Sequence, residues 1–517
     1  MGSIGWFAAG AAGKGTRPPA LAGSWYPGSP AVLMATAHHL MHAAAGAPVP
    51  GGKPVALLVP HAGWDYSGGA AAAAFRLLSP GDFSRVVVLA PSHYGGFGGY
   101  ALDDVQSYRT PLGEIPLASA AIEQLKDARL ARIVSGVTGQ EHAVEIELPF
   151  LQAALGSFEL VPVLVGRTEA EDERAFAEKL ARLDDGKTLF VFSSDFTHYG
   201  PRFDYAPYGP TSGAGKRIRA LDDRAIGLIA RREAEPFRSF LRETGATICG
   251  RNGVATLLEL LPRIAPKGGA TLLAHWASGE MPGVRDDSSV DYVAMAFGRE
   301  PGSARAPLGA APVPLPIDVD APPLAPELGK KLVRVARGAL VAELTGQAGT
   351  LGTALRSLDR ADETTRLQAV FVTLKLTDPA EIARLGDLRG CIGQVEPTYP
   401  LDLAVVRSAL DAALRDPRFP HVEARELPKL AVEVTVLSPI RPIGSWREIR
   451  LGTHGIVLEK RGHRALFLPQ VAVEQGWGLE ETLEHLGAKA GLGRGDWRSG
   501  AAFSVFTGQV FHEEPKG

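Results

Sequence analysis

The chain has 517 residues, which is too long for one compact core, so we expect two or more domains. Hydrophobic residues make up 45% and charged residues 21%, as in ordinary globular proteins, and the formal net charge of −3 gives no electrostatic basis for binding nucleic acid or an anionic membrane. Two cysteines exclude a disulfide framework and favour a reducing, cytoplasmic location, and without a run of about 18 apolar residues we expect no transmembrane helix.

The first predicted domain spans residues 17–299 and follows a glycine- and alanine-rich stretch, 1–16, that we expect to be loose. Apolar runs predict strands at 55–59, 86–90, 160–166 and 189–192 and in TLLAHWAS and VDYVAMAFG. Helical patterns lie between these strands. They cover 31–45, 118–127, 169–183, 217–231 and 236–242; two more begin at Gly68 and at His142, and one ends at Leu261. This alternation predicts an α/β domain with a mostly parallel sheet and helices on both faces.

Residues 300–325 are rich in proline and contain no aromatic residue, which is typical of an extended linker. The second predicted domain, 326–517, begins with a helix at 328–345 and has a second long helix at 401–414. Its predicted strands and hairpin are QAVFVTLKL, DLRGCIGQV, LAVEVTVLSP, a hairpin turning at Arg461–Gly462 and a last strand FSVFTGQVF, with a helix at 480–490 before that strand. Hairpins mixed with separate helices predict an α+β fold.

Three predicted strands of the first domain each end in residues that can bind metals or move protons. His61 follows the first strand, His93 the second, and Asp195 with His198 the strand at 189–192. In open α/β sheets ligands bind at the carboxyl ends of the strands, so we expect these residues to meet in one site. The alternative is three unrelated loop histidines.

The chemistry of His61, His93 and Cys249 suits a metal ion. Two neutral imidazoles and one anionic ligand on one face leave coordination positions open for substrate and O2, as in the facial triad of non-haem iron. A thiolate is softer than the usual carboxylate and also admits zinc or copper. The alternative for Cys249 is a buried, small apolar residue, which is the commoner role of a free cysteine.

Proton transfer is assigned to Asp195 and His198, which stand three residues apart after a strand and form a candidate general acid/base. His142, with glutamates close behind it, is a second candidate, although helix capping or core hydrogen bonding explains it equally well. Tyr66 and Tyr94 follow candidate ligands and could line a pocket for an aromatic ring, whereas single aromatic residues more often serve packing.

Eight strings of the first domain together resemble the Memo family, in the expected order. They are RPPALAGSWYP, PHAGWDYSG, PSHYGGF, EHAVEIELPFL, PVLVG, SSDFTHYG, ICGRNGV and DSSVDYVAMAF. That family is similar in fold to the class III, LigB-type extradiol ring-cleaving dioxygenases, so the resemblance implies a LigB-like metal-binding catalytic domain.

Residues 326–517 resemble the AMMECR family through FVTLKL, LRGCIG, PLDLAV, DPRFP, ELPKLAVEVTVLSP, LFLPQVAVEQGW and KAGL. The two families occur together in the AmmeMemoRadiSam system as proteins B and A, so the resemblance implies a natural fusion of B and A with a radical-SAM protein as partner. It implies no chemistry for the second domain, where Cys391 in the hallmark string LRGCIG fits a structural strand and turn.

Carried over to this sequence, the resemblance places the Memo metal ligands at His61, His93 and Cys249. The acid/base histidine of the ring-cleaving relatives falls on His198 with Asp195 beside it, and His142 matches the remaining pocket histidine. Trp64 departs from the usual residue after PHAG and is expected at the pocket mouth. Fe(II) is the implied metal, with copper or zinc as alternatives because extradiol enzymes have a carboxylate where this chain has a cysteine.

Three hypotheses follow from these residues. The first is an Fe(II)-dependent extradiol-type dioxygenase that cleaves a catechol-like ring with O2, with His198 removing and returning a proton. The second is a non-enzymatic iron- or copper-binding protein or adaptor of the AmmeMemoRadiSam system. The third is a zinc hydrolase in which His198 activates water.

Overall fold

The computed structural model describes residues 15–210, 213–281, 287–300, 307–310, 323–358 and 362–514. The chain divides into two compact units, Met1–Val313 and Pro314–Gly517, and each is described by itself. Most of the stretch predicted to be loose and most of the predicted proline-rich linker lie outside the described residues. Within the described residues, no helix is both long enough and apolar enough to cross a membrane.

The first unit alternates strands and helices along the chain. Its elements are β1 (Thr16–Arg17), α1 (Pro30–Ala43), β2 (Gly51–Val59), α2 (Trp64–Phe75), β3 (Arg85–Pro91), β4 (Tyr100–Leu102), β5 (Ser107–Thr110), β6 (Gly113–Pro116), α3 (Ser119–Leu125), β7 (Ala131–Ile133), α4 (His142–Glu145), α5 (Leu148–Leu155), β8 (Glu159–Val165), α6 (Ala170–Ala181), β9 (Thr188–Ser193), β10 (His198–Tyr199), α7 (Gly215–Ala230), α8 (Ala234–Thr244), α9 (Arg251–Ile264), β11 (Ala270–Ala277) and β12 (Ser289–Glu300). The α/β class predicted for this unit is confirmed.

A nine-stranded sheet organises the first unit, in the order β10-β12-β2-β9-β3-β8-β4-β7 with β11 on β12. Strands β2, β9, β3 and β8 form a parallel centre, whereas β12 and β4 pair antiparallel to its two sides. The sheet is therefore parallel where the predicted ligands lie and mixed at its flanks. The central strands are apolar and buried on both faces, as covered parallel strands are.

A buried carboxylate on α4 accepts several hydrogen bonds from the N-terminal segment of this unit. The side chain of Glu145 is fully buried and accepts hydrogen bonds from the Arg17 guanidinium, at 2.8 Å, and from the Tyr26 hydroxyl, at 2.8 Å. It also accepts the backbone N–H groups of Ala20 and Leu21. The sequence RPPALAGSWYP, which has little regular structure of its own, is thereby fixed in place.

The second unit consists of two long helices, several shorter ones and mainly antiparallel strands. Its elements are α10 (Pro326–Thr345), α11 (Ala348–Arg356), β13 (Leu367–Leu376), α12 (Pro379–Leu385), β14 (Leu388–Gly393), β15 (Tyr399–Pro400), α13 (Leu401–Leu414), β16 (Leu430–Leu437), β17 (Arg441–Ile443), β18 (Gly455–Lys460), β19 (His463–Phe467), α14 (Val471–Gln475), α15 (Leu479–Lys489), β20 (Ala502–Phe506) and β21 (Gly508–His512). The predicted hairpin at Arg461–Gly462 is confirmed as β18 and β19.

Two antiparallel sheets make up this unit, β14-β13-β16-β21 with β15 on β13, and β17-β20-β18-β19. The predicted α+β class is confirmed, but the prediction of one last strand, FSVFTGQVF, is wrong. The segment forms β20 in one sheet and β21 in the other. Thr507 lies between the two strands, where its backbone N–H and C=O bond to Ser438, so the chain changes sheets at this residue.

Replacing Glu145 by Gln should destabilise the first unit. The substitution leaves the Arg17 guanidinium buried without its counter-charge, which costs about 3 kcal/mol, the lower end for breaking a buried ion pair. The urea midpoint, followed by circular dichroism, should fall. Glu123→Gln is the control, because its pair with Lys126 is exposed and should matter little. Equal midpoints for the two variants would contradict the anchoring role.

Candidate metal centre

The carboxyl ends of three parallel strands bring the predicted residues together. Val59 of β2 pairs with Ser193 of β9, and Leu89 of β3 pairs with Phe192, so the three strands end level. His61, His93 and Asp195 follow these ends and therefore share one edge of the sheet. Their short loops leave each side chain little freedom to point elsewhere.

Cys249 reaches the same edge on the loop before α9. The Asp195 backbone N–H lies 3.1 Å from its sulfur, and the Gly250 N–H donates to the Ser194 hydroxyl at 3.0 Å. A side chain at position 250 would not fit, since a Cβ there would come within 2.5 Å of the Ser194 Cβ. A glycine is thus required for Cys249 to approach β9 this closely.

The three predicted ligands form a group that can hold one ion. Their ligand atoms all lie within 4.8 Å of one another, and His61 Nε2 is 3.2 Å from Cys249 Sγ. Nitrogen and sulfur bound to one ion at about 2.05 and 2.3 Å lie about 3.1 Å apart at a right angle and about 3.6 Å apart at the tetrahedral angle. The observed distance falls between these values, so the donor set fits a transition-metal ion.

Burial sets the protonation of two of these ligands in the metal-free protein. Burial, reinforced by the neighbouring His93 and His142 rings, lowers the pKa of His61 well below its ordinary value, so this imidazole is neutral. Desolvation, reinforced by the Asp195 carboxylate, raises the pKa of the Cys249 thiol. A metal must therefore displace the thiol proton when it binds, whereas His61 is already in its ligating form.

Glu141 orients His93 and was not found from the sequence. One of its oxygens accepts the His93 backbone N–H at 2.7 Å, and the other lies 2.9 Å from His93 Nδ1. Although burial opposes it, the hydrogen bonds from His93 lower the pKa of Glu141, so the group is a carboxylate. Nδ1 then carries the proton and Nε2 keeps the lone pair, as in carboxylate–histidine–metal arrangements.

Ser193 and Glu147 play the same part for His61. The Ser193 hydroxyl donates to Glu147 Oε1 at 2.9 Å, and its oxygen lies 2.8 Å from His61 Nδ1. With the serine proton directed at Glu147, Nδ1 of His61 is the donor and Nε2 is the atom that faces the sulfur. Burial raises the pKa of Glu147 well above its ordinary range.

Backbone carbonyls, not Asp195, orient His198. Its Nδ1 lies 2.9 Å from the Phe196 carbonyl oxygen and 3.1 Å from that of Thr247. Carbonyls only accept hydrogen bonds, so Nδ1 is protonated and Nε2 is left as a base. Asp195 instead accepts the His61 backbone N–H at 2.8 Å, and burial raises its pKa.

His142 lies among the other rings of the site. It stacks on His93 at 4.3 Å between ring centroids and contacts Trp25 at 4.8 Å. Burial and the nearby His93 lower the pKa of His142 to about 4, so the ring is neutral at physiological pH. Its buried Nδ1 lies 3.3 Å from Glu141 Oε1, the same oxygen that faces His93 Nδ1.

The three predicted substrate-binding aromatic residues take different places. Tyr94 is 58% exposed and meets His142 edge-on at 5.9 Å, at the mouth of the site. Tyr66 is 46% exposed and has no described ring contact with the histidines. Trp64 is buried and stacks on Phe150 at 4.0 Å, a position that fits packing and not contact with substrate.

A cavity of about 160 Å³ adjoins Cys249. Its wall includes the glycine-rich turn after β3 and the first residues of α9, and it carries the exposed arginines Arg167 and Arg251. A helix N-terminus and two guanidinium groups make this side of the site favourable for negative charge.

Comparison with known proteins gives matches for both units. The family described as Memo-like protein matches residues 17–296, and the family described as AMMECR1 matches residues 333–511. The memo-1 homolog of Caenorhabditis elegans is 32% identical over 289 residues, which cover 54% of this chain and 82% of that protein. MEMO1 of Danio rerio and of Homo sapiens are each 32% identical and cover 54% of this chain and 97% of their own length.

One solved structure is similar to part of the chain. The crystal structure of an uncharacterized protein, PH0010, from Pyrococcus horikoshii is 37% identical with a TM-score of 0.31. The aligned part covers 36% of this chain and 92% of that one.

Replacing Glu141 by Gln should lower the affinity for Zn(II) or Fe(II) about 10–100-fold, because His93 loses the carboxylate that orients it. Competition with a chelator under anaerobic conditions measures the change. Cys249→Ala should weaken binding further, and Glu159→Gln, on the exposed start of β8, is the control. Unchanged affinity in Cys249→Ala would show that the sulfur is not a ligand.

Proposed function

The chain belongs to the Memo family, and from this membership we propose that it is an Fe(II)-dependent extradiol-type dioxygenase that cleaves a catechol-like ring with O2. The observation that carries the proposal is the group of two imidazoles and one thiol within 4.8 Å, beside a histidine with a free Nε2. Three protein ligands leave coordination positions for a substrate and for O2, which is the arrangement of non-haem iron oxygenases.

Iron held by His61, His93 and Cys249 would supply Lewis acidity toward the phenolic oxygens and redox chemistry toward O2. Both imidazoles are held with Nε2 unprotonated by the hydrogen bonds at Nδ1. The protein therefore presents its nitrogen ligands without reorganisation, and binding costs only the proton of the thiol.

His198 acts as the general base of the proposed reaction. Its Nε2 takes a proton from a substrate hydroxyl and later returns it, while the two backbone carbonyls at Nδ1 keep the ring in that tautomer. Neutral His142 stacks on His93 and forms part of the pocket wall beside it. Tyr94 stands at the mouth, edge-on to His142, where it can contact an aromatic ring that enters.

The arginines of the cavity beside Cys249 suggest which catechols fit. Arg167 and Arg251 can pair with a carboxylate on the ring, and a guanidinium fork recognises a carboxylate by two parallel hydrogen bonds. We therefore propose an acidic catechol as substrate. A radical-SAM protein remains the proposed partner in the cell.

The thiol favours a second candidate, a binding protein that holds copper or zinc without turnover. Cys249 stands where extradiol enzymes have a carboxylate, and soft thiolates select Cu(I) and Zn(II) over Fe(II). Such a protein would keep the same three ligands and consume no O2.

Anaerobic reconstitution with Fe(II), Zn(II) or Cu(I), followed by addition of O2 and a panel of catechols, separates these functions. We expect O2 uptake and a yellow, ring-opened product with Fe(II) alone, and faster turnover of carboxylated than of neutral catechols. Tight binding of copper or zinc with no O2 uptake for any catechol would instead support the binding protein. Hydrolysis with Zn(II) would support a hydrolase.

Replacing His198 by Ala should leave the metal content unchanged and lower ring cleavage at least about 100-fold, the lower end of general acid/base contributions. Metal analysis and O2 uptake on the same sample measure the two effects. His421→Ala, on the surface of the second unit, is the matched control. Loss of metal in His198→Ala would contradict the role of His198 as a base.

A further inference from the structure

A second group of ionisable side chains lies behind the loop that carries Asp195 and His198. Asp222 comes from α7, His275 from β11 and Asp291 from β12, and each is at most 3% exposed. One ligand atom from each lies within 4.8 Å of the other two. None of these three residues takes part in the reaction proposed above.

Two carboxylate oxygens of this group receive no N–H or O–H donor from the described residues, although the two carboxyl groups lie next to each other. Asp222 Oδ1 accepts the Thr197 hydroxyl at 2.6 Å, and Asp291 Oδ2 lies 3.2 Å from His275 Nε2. In the described part of the chain, the other oxygens, Asp222 Oδ2 and Asp291 Oδ1, are buried and make no hydrogen bond to an N–H or O–H group. The two carboxyl groups can bond to each other only if one carries a proton. Buried oxygens in this position need a positive charge or a proton between them.

His275 adds a third donor atom beside the two carboxylates. Its Nδ1 lies 3.4 Å from the exposed Asp223 carboxylate and its Nε2 lies 3.2 Å from Asp291 Oδ2. With the proton on Nδ1 toward Asp223, the inner lone pair has the orientation of a metal-ligating histidine with a carboxylate behind it.

We propose that Asp222, His275 and Asp291 bind a divalent transition-metal ion, with Asp223 orienting the histidine from outside. One imidazole and two carboxylates form a donor set that suits Mn(II), Fe(II) or Zn(II). Nitrogen and oxygen ligands of one ion at about 2.1 Å lie about 3.0 Å apart at a right angle and about 3.4 Å apart at the tetrahedral angle. The observed 3.2 Å between His275 Nε2 and Asp291 Oδ2 falls between these values.

An ion at this place would fix the loop that ends in His198. The Phe196 N–H donates to the Asp291 carbonyl at 2.8 Å, the Asp291 N–H donates to the Thr197 carbonyl at 3.1 Å, and the Thr197 hydroxyl donates to Asp222. The ion would therefore join α7 and β12 directly beneath the loop. Its role is structural, since the three residues have no described contact with His61, His93 or Cys249.

The test uses the full chain with the first site removed by His93→Ala and Cys249→Ala. After loading with Zn(II) or Mn(II) and desalting, we expect about one metal equivalent per chain, and none after the further changes Asp222→Asn and Asp291→Asn. Added metal should raise the Tm of the chelator-treated background and leave that of the Asn variant unchanged. Asp104→Asn, on an exposed loop, is the matched control and should retain the equivalent.

Two results would overturn the proposal. A background protein that retains no equivalent and shows no metal-dependent Tm would mean that the carboxylates share a proton. An equivalent that survives Asp222→Asn and Asp291→Asn would lie elsewhere. Asn has the shape of Asp and removes a buried charge, so the variant should fold, and circular dichroism checks this. Asp223→Asn should weaken binding about 10–100-fold without abolishing it. Because the first site is absent throughout, none of these outcomes depends on the proposed reaction.

Discussion

The level carboxyl ends of β2, β9 and β3 are the constraint on which the rest of the first unit depends. Parallel strands buried on both faces cannot slide past one another without exposing apolar side chains, so their register is fixed. That register places His61 and His93 side by side and gives Cys249 a wall to pack against, 3.2 Å from His61 Nε2. The metal group is thus a product of the strand register, and the loops contribute only the last few residues.

Two buried glutamates orient the histidines that the strands bring together. Glu141 and Glu147 lie behind the two histidines, one directly and one through Ser193, and each fixes which ring nitrogen carries the proton. The apolar surroundings lower the pKa of His61 and keep its ring neutral, which is the form of imidazole that binds metals. The same surroundings hold the thiol protonated until an ion arrives.

The sequence was sufficient to bring His61 and His93 to one edge of the sheet because a strand followed by His is a local pattern, and the hairpin at Arg461–Gly462 is equally local. The roles of Glu141 and Ser193 in orienting the histidines were not predicted. Their partners lie far away in the sequence, and the periodicity of a segment does not indicate its tertiary contacts. Asp195 interacts with His198 through charge and not through a hydrogen bond, because one of its oxygens accepts the His61 backbone N–H. FSVFTGQVF has the uninterrupted pattern of one strand. Its two halves pair with strands of different sheets, so the break at Thr507 depends on tertiary contacts that the sequence pattern does not show.

Because Glu145 attaches the N-terminal segment beside the candidate metal centre, local unfolding of that segment would open the centre to solvent. Trp25, in that segment, forms part of the wall against His142. When the carboxylate releases the segment, the wall and the backbone amides of Ala20 and Leu21 are freed together. Deuterium uptake at these two amides would therefore report how often the centre is open to large molecules.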